Sequence, residues 1–119
     1  MKRVILGLLL IVLPGLARLE AHAFLKCAEP AVGSTVQTSP GEVQIWFTEN
    51  IEAAFSTIQV FDTSGKEVNR HDVHLDRSNH ALLRVSLPPV GAGTYKVVWR
   101  VVSVDTHVTT GNFTFRIAR

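Results

Sequence analysis

The sequence predicts an all-β protein, a seven-stranded immunoglobulin-like Greek-key β-sandwich that follows an N-terminal signal peptide. Hydrophobic residues make up 46% of the 119 residues and charged residues 18%, a composition typical of a folded domain rather than a disordered chain. Beyond residue 22, no stretch keeps the 3.6-residue period of an amphipathic helix, whereas alternating β-branched and aromatic residues recur between turn signals. About 100 residues organised in this way match one sandwich domain.

The N-terminal residues are interpreted as a secretory signal. Residues 1–3 form a short positive n-region, and residues 4–13 are an uninterrupted apolar run that a Pro-Gly pair ends. The run is too short to span a membrane, and small residues follow it as they do before a signal-peptidase site. The pattern therefore predicts export, with a buried N-terminal helix as the alternative.

The cleavage site determines which residue begins the mature domain. Cleavage after Ala17, Ala21 or Ala23 fits the small-residue rule, and the rule alone favours the first or the last of these. The family resemblance described below favours Ala21. We therefore divide the chain into a signal peptide at residues 1–21 and a domain at residues 22–119.

The charge and cysteine content of the domain exclude two classes of protein. The whole chain has a formal charge of +2, but residues 22–119 carry nine basic and nine acidic side chains. A neutral domain lacks the basic footprint of nucleic-acid binding. Cys27 is the only cysteine, so no intramolecular disulfide can form, even in an oxidising compartment. We expect it to be a half-buried thiol on a strand.

Seven strands are predicted from the alternation of apolar residues between turn signals. A Thr-Ser-Gly-Lys turn at residues 63–66 predicts a hairpin, and a Pro- and Gly-rich segment at residues 88–93 separates two strands. Trp46 and Trp99 both fall in strand patterns and are expected to anchor the core. The predicted strands are residues 23–29, 42–48, 57–62, 67–71, 81–87, 94–102 and 111–117.

The strand count also predicts which loops share one end of the sandwich. If each connection reverses the chain direction, the start of the domain lies beside the loops that follow strands two, four and six. Those loops contain Glu49 and Asn50, then residues 74–80, then residues 103–110. The mature N-terminus, Glu49 and residues 104–107 should therefore converge.

The converging segments contain residues that can bind a metal ion. Asp105 and His107 are two residues apart, a spacing that projects both side chains to one side of an extended backbone. Solvated loops often contain the same pattern, so the pair alone is weak evidence for a metal site. If cleavage follows Ala21, His22 adds its free α-amine and its imidazole. Three nitrogens and one oxygen suit tetragonal Cu(II), and zinc is possible although it usually prefers a tetrahedral arrangement.

Four motifs carry a resemblance to a known family. They are His-Ala-Phe-Leu at 22–25, Trp-Phe-Thr-Glu-Asn at 46–50, Gly-Thr-Tyr-Lys-Val-Val-Trp-Arg at 93–100 and Ser-Val-Asp-Thr-His at 103–107. In combination they resemble the CopC-type periplasmic copper-binding proteins, the CopC/PcoC family, over nearly all of residues 22–119. The resemblance implies a periplasmic β-sandwich that binds Cu(II) through N-terminal His22, Asp105 and His107. It also implies that Glu49 is the family's acidic residue near the metal.

The sequence departs from this family in its sulfur-containing residues. Some family members carry a Met-rich loop for Cu(I), but the only methionine here is Met1. Cys27 stands where the family commonly has serine. A second histidine-rich stretch contains His71, His74 and His80, which we expect to be solvated, with adventitious metal binding as the alternative.

The resemblance implies a carrier rather than an enzyme. Such a protein holds Cu(II) in the periplasm and passes it to an inner-membrane copper transporter of the CopD type, in copper uptake, homeostasis or resistance. Two alternatives remain open at this point. One is a copper-dependent oxidative enzyme of the polysaccharide monooxygenase type, which uses a related N-terminal histidine chelate. The other is an interaction module that binds no metal.

Overall fold

Two four-stranded sheets face each other in the computed structural model, which describes residues 23–118. The strands are β1 (Leu25–Glu29), β2 (Thr35–Val36), β3 (Glu42–Phe47), β4 (Thr57–Phe61), β5 (His74–Asp76), β6 (Asn79–Ser86), β7 (Gly93–Val102) and β8 (Val108–Ile117). Their orders in the two sheets are β1-β3-β6-β5 and β2-β8-β7-β4, and a short 3-10 turn at Ala53–Phe55 precedes β4. The predicted all-β sandwich is confirmed.

The predicted signal peptide and His22 lie outside the described residues. Between residues 23 and 118, no helix is both long and apolar enough to cross a membrane.

The core lies between the two sheets and follows the pleat of the strands. Because successive side chains of a strand point to opposite faces, every second residue is buried. Burying an aliphatic or aromatic side chain of this size contributes about 1.5–3 kcal/mol, so these rows provide most of the stability of the sandwich. The rows are Val43, Ile45 and Phe47 on β3, Tyr95, Val97, Trp99 and Val101 on β7, and Phe113, Phe115 and Ile117 on β8.

One end of the sandwich, which we call the N-terminal end, collects the start of the domain and three connections. It comprises residues 23–24, 48–56, 77–78 and 103–107. Backbone hydrogen bonds join these segments: Thr48 N–H donates to the Phe24 carbonyl (2.9 Å), Ile51 N–H to the His80 carbonyl (3.0 Å) and Val104 N–H to the Asn50 carbonyl (3.1 Å). The predicted convergence of these segments is thus present in the fold.

The predicted fourth strand, residues 67–71, is wrong. Only Glu67 forms an isolated bridge, to Phe61, and the chain then crosses from β4 to the other sheet, where Arg70 N–H donates to the Ser86 carbonyl (3.0 Å). The buried Asn69 side chain explains the difference, because its Oδ1 accepts from Val60 N–H (2.8 Å) where a backbone carbonyl would accept in a regular ladder. A short strand, β5, lies instead a few residues further along the chain. The structure also contains a short strand that was not predicted, β2, which is parallel to β8.

Two side chains, those of Trp46 and Cys27, are more exposed than expected. Trp99 is buried and meets Phe47 edge-to-face, with ring centroids 5.2 Å apart, so its assignment to the core is correct. Trp46 is only half-buried, because Ile45 and Phe47 occupy the inner face of β3. Cys27 pairs with Trp46 across the sheet and is exposed rather than half-buried, since an irregularity between Leu25 and Cys27 shifts the register of β1.

Gly111 is required where β8 passes the indole of Trp99. The two residues are cross-strand partners, and a Cβ at position 111 would lie 2.3 Å from Trp99 Cζ2. We expect Gly111→Ala to lower the free energy of unfolding by about 1–3 kcal/mol, as overpacking does. Urea denaturation measures the change. Gly41→Ala is the matched control, since no heavy atom lies within 4 Å of its added Cβ, and equal stability of the two variants would contradict this account.

Candidate metal centre

Asp105 and His107 lie in the loop that joins the two longest strands. The β7–β8 ladder ends at the pair Val102 and Val108, which leaves residues 103–107 to reverse the chain. Two backbone bonds close this loop: Ser103 N–H donates to the His107 carbonyl (2.9 Å), and Thr106 N–H donates to the Ser103 carbonyl (2.8 Å). Thr106 has φ = 70°, the left-handed conformation that allows so tight a return.

The loop brings the carboxylate of Asp105 and the imidazole of His107 together. Asp105 Oδ1 lies 3.3 Å from His107 Nδ1, and the two side chains are 44% and 30% exposed. The sequence correctly predicted that the two side chains lie on the same side of the backbone. The predicted cause was an extended backbone, whereas the structure has a turn at Thr106 that sets their geometry. The loop thus places a carboxylate and an imidazole, both partly exposed, beside each other.

Hydrogen bonding keeps the Asp105 carboxyl group ionised. The Ser103 hydroxyl donates to Asp105 Oδ1, and this bond, followed by the interaction with His107, lowers the pKa of Asp105 below its ordinary value. Asp105 is therefore a carboxylate at neutral pH. The loop therefore carries a negative charge next to the imidazole of His107.

The beginning of the domain is fixed beside this loop. Ala23 is fully buried, and its carbonyl accepts a hydrogen bond from the Thr109 hydroxyl (2.5 Å). The next residue, Phe24, donates its N–H to Thr48 Oγ1 (3.0 Å). His22, the third predicted ligand, lies outside the described residues, but it is covalently bonded to Ala23. Thr109 is in turn only two positions from His107.

Glu49, the predicted acidic neighbour of the metal, also lies at the N-terminal end. It follows β3 and is half-buried between two residues that are held at this end, Thr48 and Asn50. Thr48 bonds to Phe24, and the Asn50 carbonyl accepts from Val104 in the loop that carries Asp105. The structure thus brings the segment containing Glu49 to the same end as Asp105 and His107.

The remaining histidines are spread over the surface. His71 has an 82% exposed side chain, with Nδ1 3.9 Å from a Glu67 oxygen, and His74 Nδ1 lies 2.7 Å from the Asp72 carbonyl. His80 is exposed as well. Among residues 23–118, no three His, Cys, Asp or Glu side chains are grouped closely enough to hold a metal ion.

Three hydroxyl residues shape this end and were not singled out from the sequence. Ser103 binds Asp105, Thr109 binds the Ala23 carbonyl, and Thr48 binds Phe24 on both its backbone and its side chain. Ser103 belongs to the Ser-Val-Asp-Thr-His motif and alternates with Asp105 and His107, but neither signal reveals its contact with Asp105. The other two contacts are long-range, and no local pattern predicts them.

The chain has clear relatives among known proteins. The model of the CopC domain matches residues 25–118. Copper resistance protein C of Escherichia coli is 35% identical over 104 residues, which cover 82% of this chain and 82% of that protein. Copper transport protein CutJ of Bacillus subtilis is 30% identical over 117 residues, which cover 98% of this chain but 21% of CutJ. The chain therefore spans about a fifth of the length of CutJ.

Solved structures share the same architecture. The crystal structure of CopC from Methylosinus trichosporium OB3b has a TM-score of 0.77 and 31% identity, and the match covers 82% of this chain and 94% of that one. The crystal structure of PcoC, a methionine-rich copper resistance protein from Escherichia coli, has a TM-score of 0.73 and 35% identity, with coverage of 82% and 99%.

The fold and these relatives define a β-sandwich of the copper resistance and copper transport class. The chain belongs to the CopC family. Its named relatives are copper resistance and copper transport proteins rather than enzymes, which confirms the prediction that the chain is not an enzyme.

Thr109 should stabilise the chain start by satisfying the buried carbonyl of Ala23. Thr109→Val keeps the shape of the side chain but removes the donor, and leaving a buried carbonyl unpaired costs about 1–3 kcal/mol. We expect a loss of that size in the free energy of unfolding measured in urea. Thr110→Val is the control on the same strand, because Thr110 is exposed on the opposite face. Equal losses in the two variants would show that this hydrogen bond contributes little.

Proposed function

We propose that the chain is exported to the periplasm, binds one Cu(II) through an N-terminal chelate and passes the copper to a CopD-like inner-membrane transporter. In this proposal, cleavage after Ala21 makes His22 the first residue of the mature protein. His22, Asp105 and His107 bind the metal. The observation that supports the site most directly is the bond from Thr109 to Ala23, which fixes the neighbour of His22 close to the loop that carries the other two ligands.

The chemistry of the donor groups favours Cu(II). The α-amine and imidazole of His22 would supply two nitrogens, His107 a third, and Asp105 an anionic oxygen. This set suits the tetragonal geometry of Cu(II), whereas thioether ligands favour Cu(I). The chain contains one methionine, Met1, so it lacks the side chains for which the relative PcoC is called methionine-rich.

The exposure of the ligands supports transfer rather than permanent storage. The side chains of His107 and Asp105 are 30% and 44% exposed, so an incoming ligand from another protein can approach a metal bound there. Glu49 would act from outside the set of ligands, as an additional negative charge near the cation. A copper ion bound at this end could then leave by stepwise ligand exchange without unfolding of the sandwich.

The relative CutJ supports a transporter as the recipient. In that copper transport protein, the matched domain makes up about a fifth of a longer chain. The occurrence of a CopC-like region within a copper transport protein supports a role for this chain beside a transporter. We propose that the present chain makes the equivalent contact as a separate protein.

The first test of this function changes only the N-terminus. Two forms are compared, one that begins at His22 and one that carries an additional Met before it. The extension converts the α-amine, which has an ordinary pKa of about 7.7–8.0, into an amide and keeps every side chain. We expect the extended protein to bind Cu(II) far more weakly in competition titrations and to give an altered electron paramagnetic resonance spectrum.

Circular dichroism should show the same fold for both forms, so that a difference in Cu(II) affinity can be attributed to the terminal amine. Equal affinities and spectra would exclude the terminal amine as a ligand. The mass of the exported protein completes the test, because a mature chain that begins at Arg18 or Phe24 could not form this chelate.

The second test compares histidines at the proposed site with histidines elsewhere. His107→Ala should weaken Cu(II) binding strongly, and Asp105→Ala should both weaken it and change the spectrum through loss of the anionic oxygen. Glu49→Gln should cost about 10–100-fold at most, as residues outside the ligand set do. Isothermal titration with a competing chelator measures these affinities. His74→Ala is the matched control, and a loss equal to that of His107→Ala would mean that the site is elsewhere.

A further inference from the structure

Ser103 occupies an unusual position for a polar residue. It is fully buried, and only Ser56 and Asn69 join it among the buried polar residues between positions 23 and 118. Asn69 bonds to the backbone of Val60 and Arg70, where the chain crosses between the sheets. Ser103, in contrast, is the buried first residue of the loop that carries Asp105 and His107.

The Ser103 hydroxyl contacts both residues of the Asp-x-His pair. It donates to Asp105 Oδ1, accepts from the backbone N–H of His107 (3.3 Å) and lies 3.3 Å from the His107 carbonyl. The backbone of Ser103 is itself fixed, because it forms an antiparallel bridge with Ile51 and donates its N–H to the His107 carbonyl (2.9 Å). The buried Ser103 therefore fixes the position of the backbone from which the partly exposed side chains of Asp105 and His107 extend.

The physical effect of this hydroxyl is to reduce the freedom of the two side chains before metal arrives. A hydrogen bond to an ionised carboxylate is stronger than one between neutral groups, so it selects one orientation of Asp105. Without it, the carboxylate would have to be ordered when copper binds, at a cost in affinity. The loop would also lose the contact that joins its first residue, through the side chain, to the N–H of His107.

We infer that Ser103 is a positioning residue for copper, holding Asp105 and His107 in the geometry that binds the ion. This inference rests on the proposed function. It goes further because it assigns a large part of the copper affinity to Ser103, a residue that is not expected to contact the metal.

Ser56 provides a matched control for this inference. It is also a buried serine near the N-terminal end, but its hydroxyl donates to the Glu52 carbonyl (2.8 Å) and accepts from Val102 N–H (3.0 Å). Removal of either hydroxyl should lower the unfolding midpoint. Only removal of the Ser103 hydroxyl should disturb the relation between Asp105 and His107.

The experiment measures Cu(II) affinity and the electron paramagnetic resonance spectrum of Ser103→Ala and Ser56→Ala, each in a protein that begins at His22. For Ser103→Ala we expect a loss of about 10–100-fold in affinity, the range for partners that orient metal ligands, together with a changed spectrum. For Ser56→Ala we expect wild-type affinity and spectrum. Wild-type values for Ser103→Ala, or equal losses in the two variants, would overturn the inference.

A second pair of variants separates the hydroxyl from packing if Ser103→Ala is poorly folded. Ser103→Thr and Ser103→Val have the same shape, and only the threonine keeps the hydroxyl. The threonine variant should bind Cu(II) more tightly than the valine variant by about 10–100-fold, and equal affinities would overturn the inference. If the wild-type protein itself fails to bind Cu(II), or His107→Ala binds normally, the proposed function is wrong. If those two results are as expected and the Ser103 variants bind normally, only the role of Ser103 is wrong.

Discussion

The hydrogen bond between the Thr109 hydroxyl and the Ala23 carbonyl is the constraint on which the N-terminal end of the molecule depends. It joins residues 86 positions apart, and it satisfies a carbonyl on a residue that is wholly removed from water. Because a buried carbonyl must find a partner, the first described residue cannot fray without a penalty. Ala23 and the segment that follows it are thereby fixed beside the β7–β8 loop.

The rigidity of that loop comes from the sheet below it. Strands β7 and β8 pair over their whole length, and the buried side chains of Trp99 and Val101 hold β7 against the opposite sheet. The loop must adopt a left-handed residue at Thr106, a conformation that costs about 1–3 kcal/mol for a residue with a side chain. The hydrogen bonds of the Ser103 hydroxyl and the bond from Val104 N–H to the Asn50 carbonyl stabilise the loop against this cost. Strain is therefore retained where two potential ligands meet.

The features that the sequence predicted correctly are those that depend on local pattern. Alternation identified β3, β7 and β8, and simple reversal of chain direction brought the start of the domain to the loop that carries Asp105 and His107. The errors have long-range causes. Asn69 replaces a backbone acceptor of Val60 and so prevents a strand, and an irregularity in β1 turns Cys27 outward. Ser103 lies in the Ser-Val-Asp-Thr-His motif, but its burial and its hydrogen bond to Asp105 depend on tertiary contacts that no spacing reveals.

Retention and release make opposite demands on a copper carrier, and under the proposed function different residues of this fold would meet them. The groups that fix the geometry, Ala23 and Ser103, are fully buried, whereas Asp105 and His107 remain partly exposed. In the proposed site, a buried frame would keep Asp105 and His107 organised before the metal binds, so little ordering entropy would be lost on binding. Partly exposed ligands, in turn, let an acceptor replace them one at a time. In the proposed site, buried residues that do not contact copper would therefore add to its affinity by ordering the ligands, whereas the exposure of the ligands themselves would allow transfer.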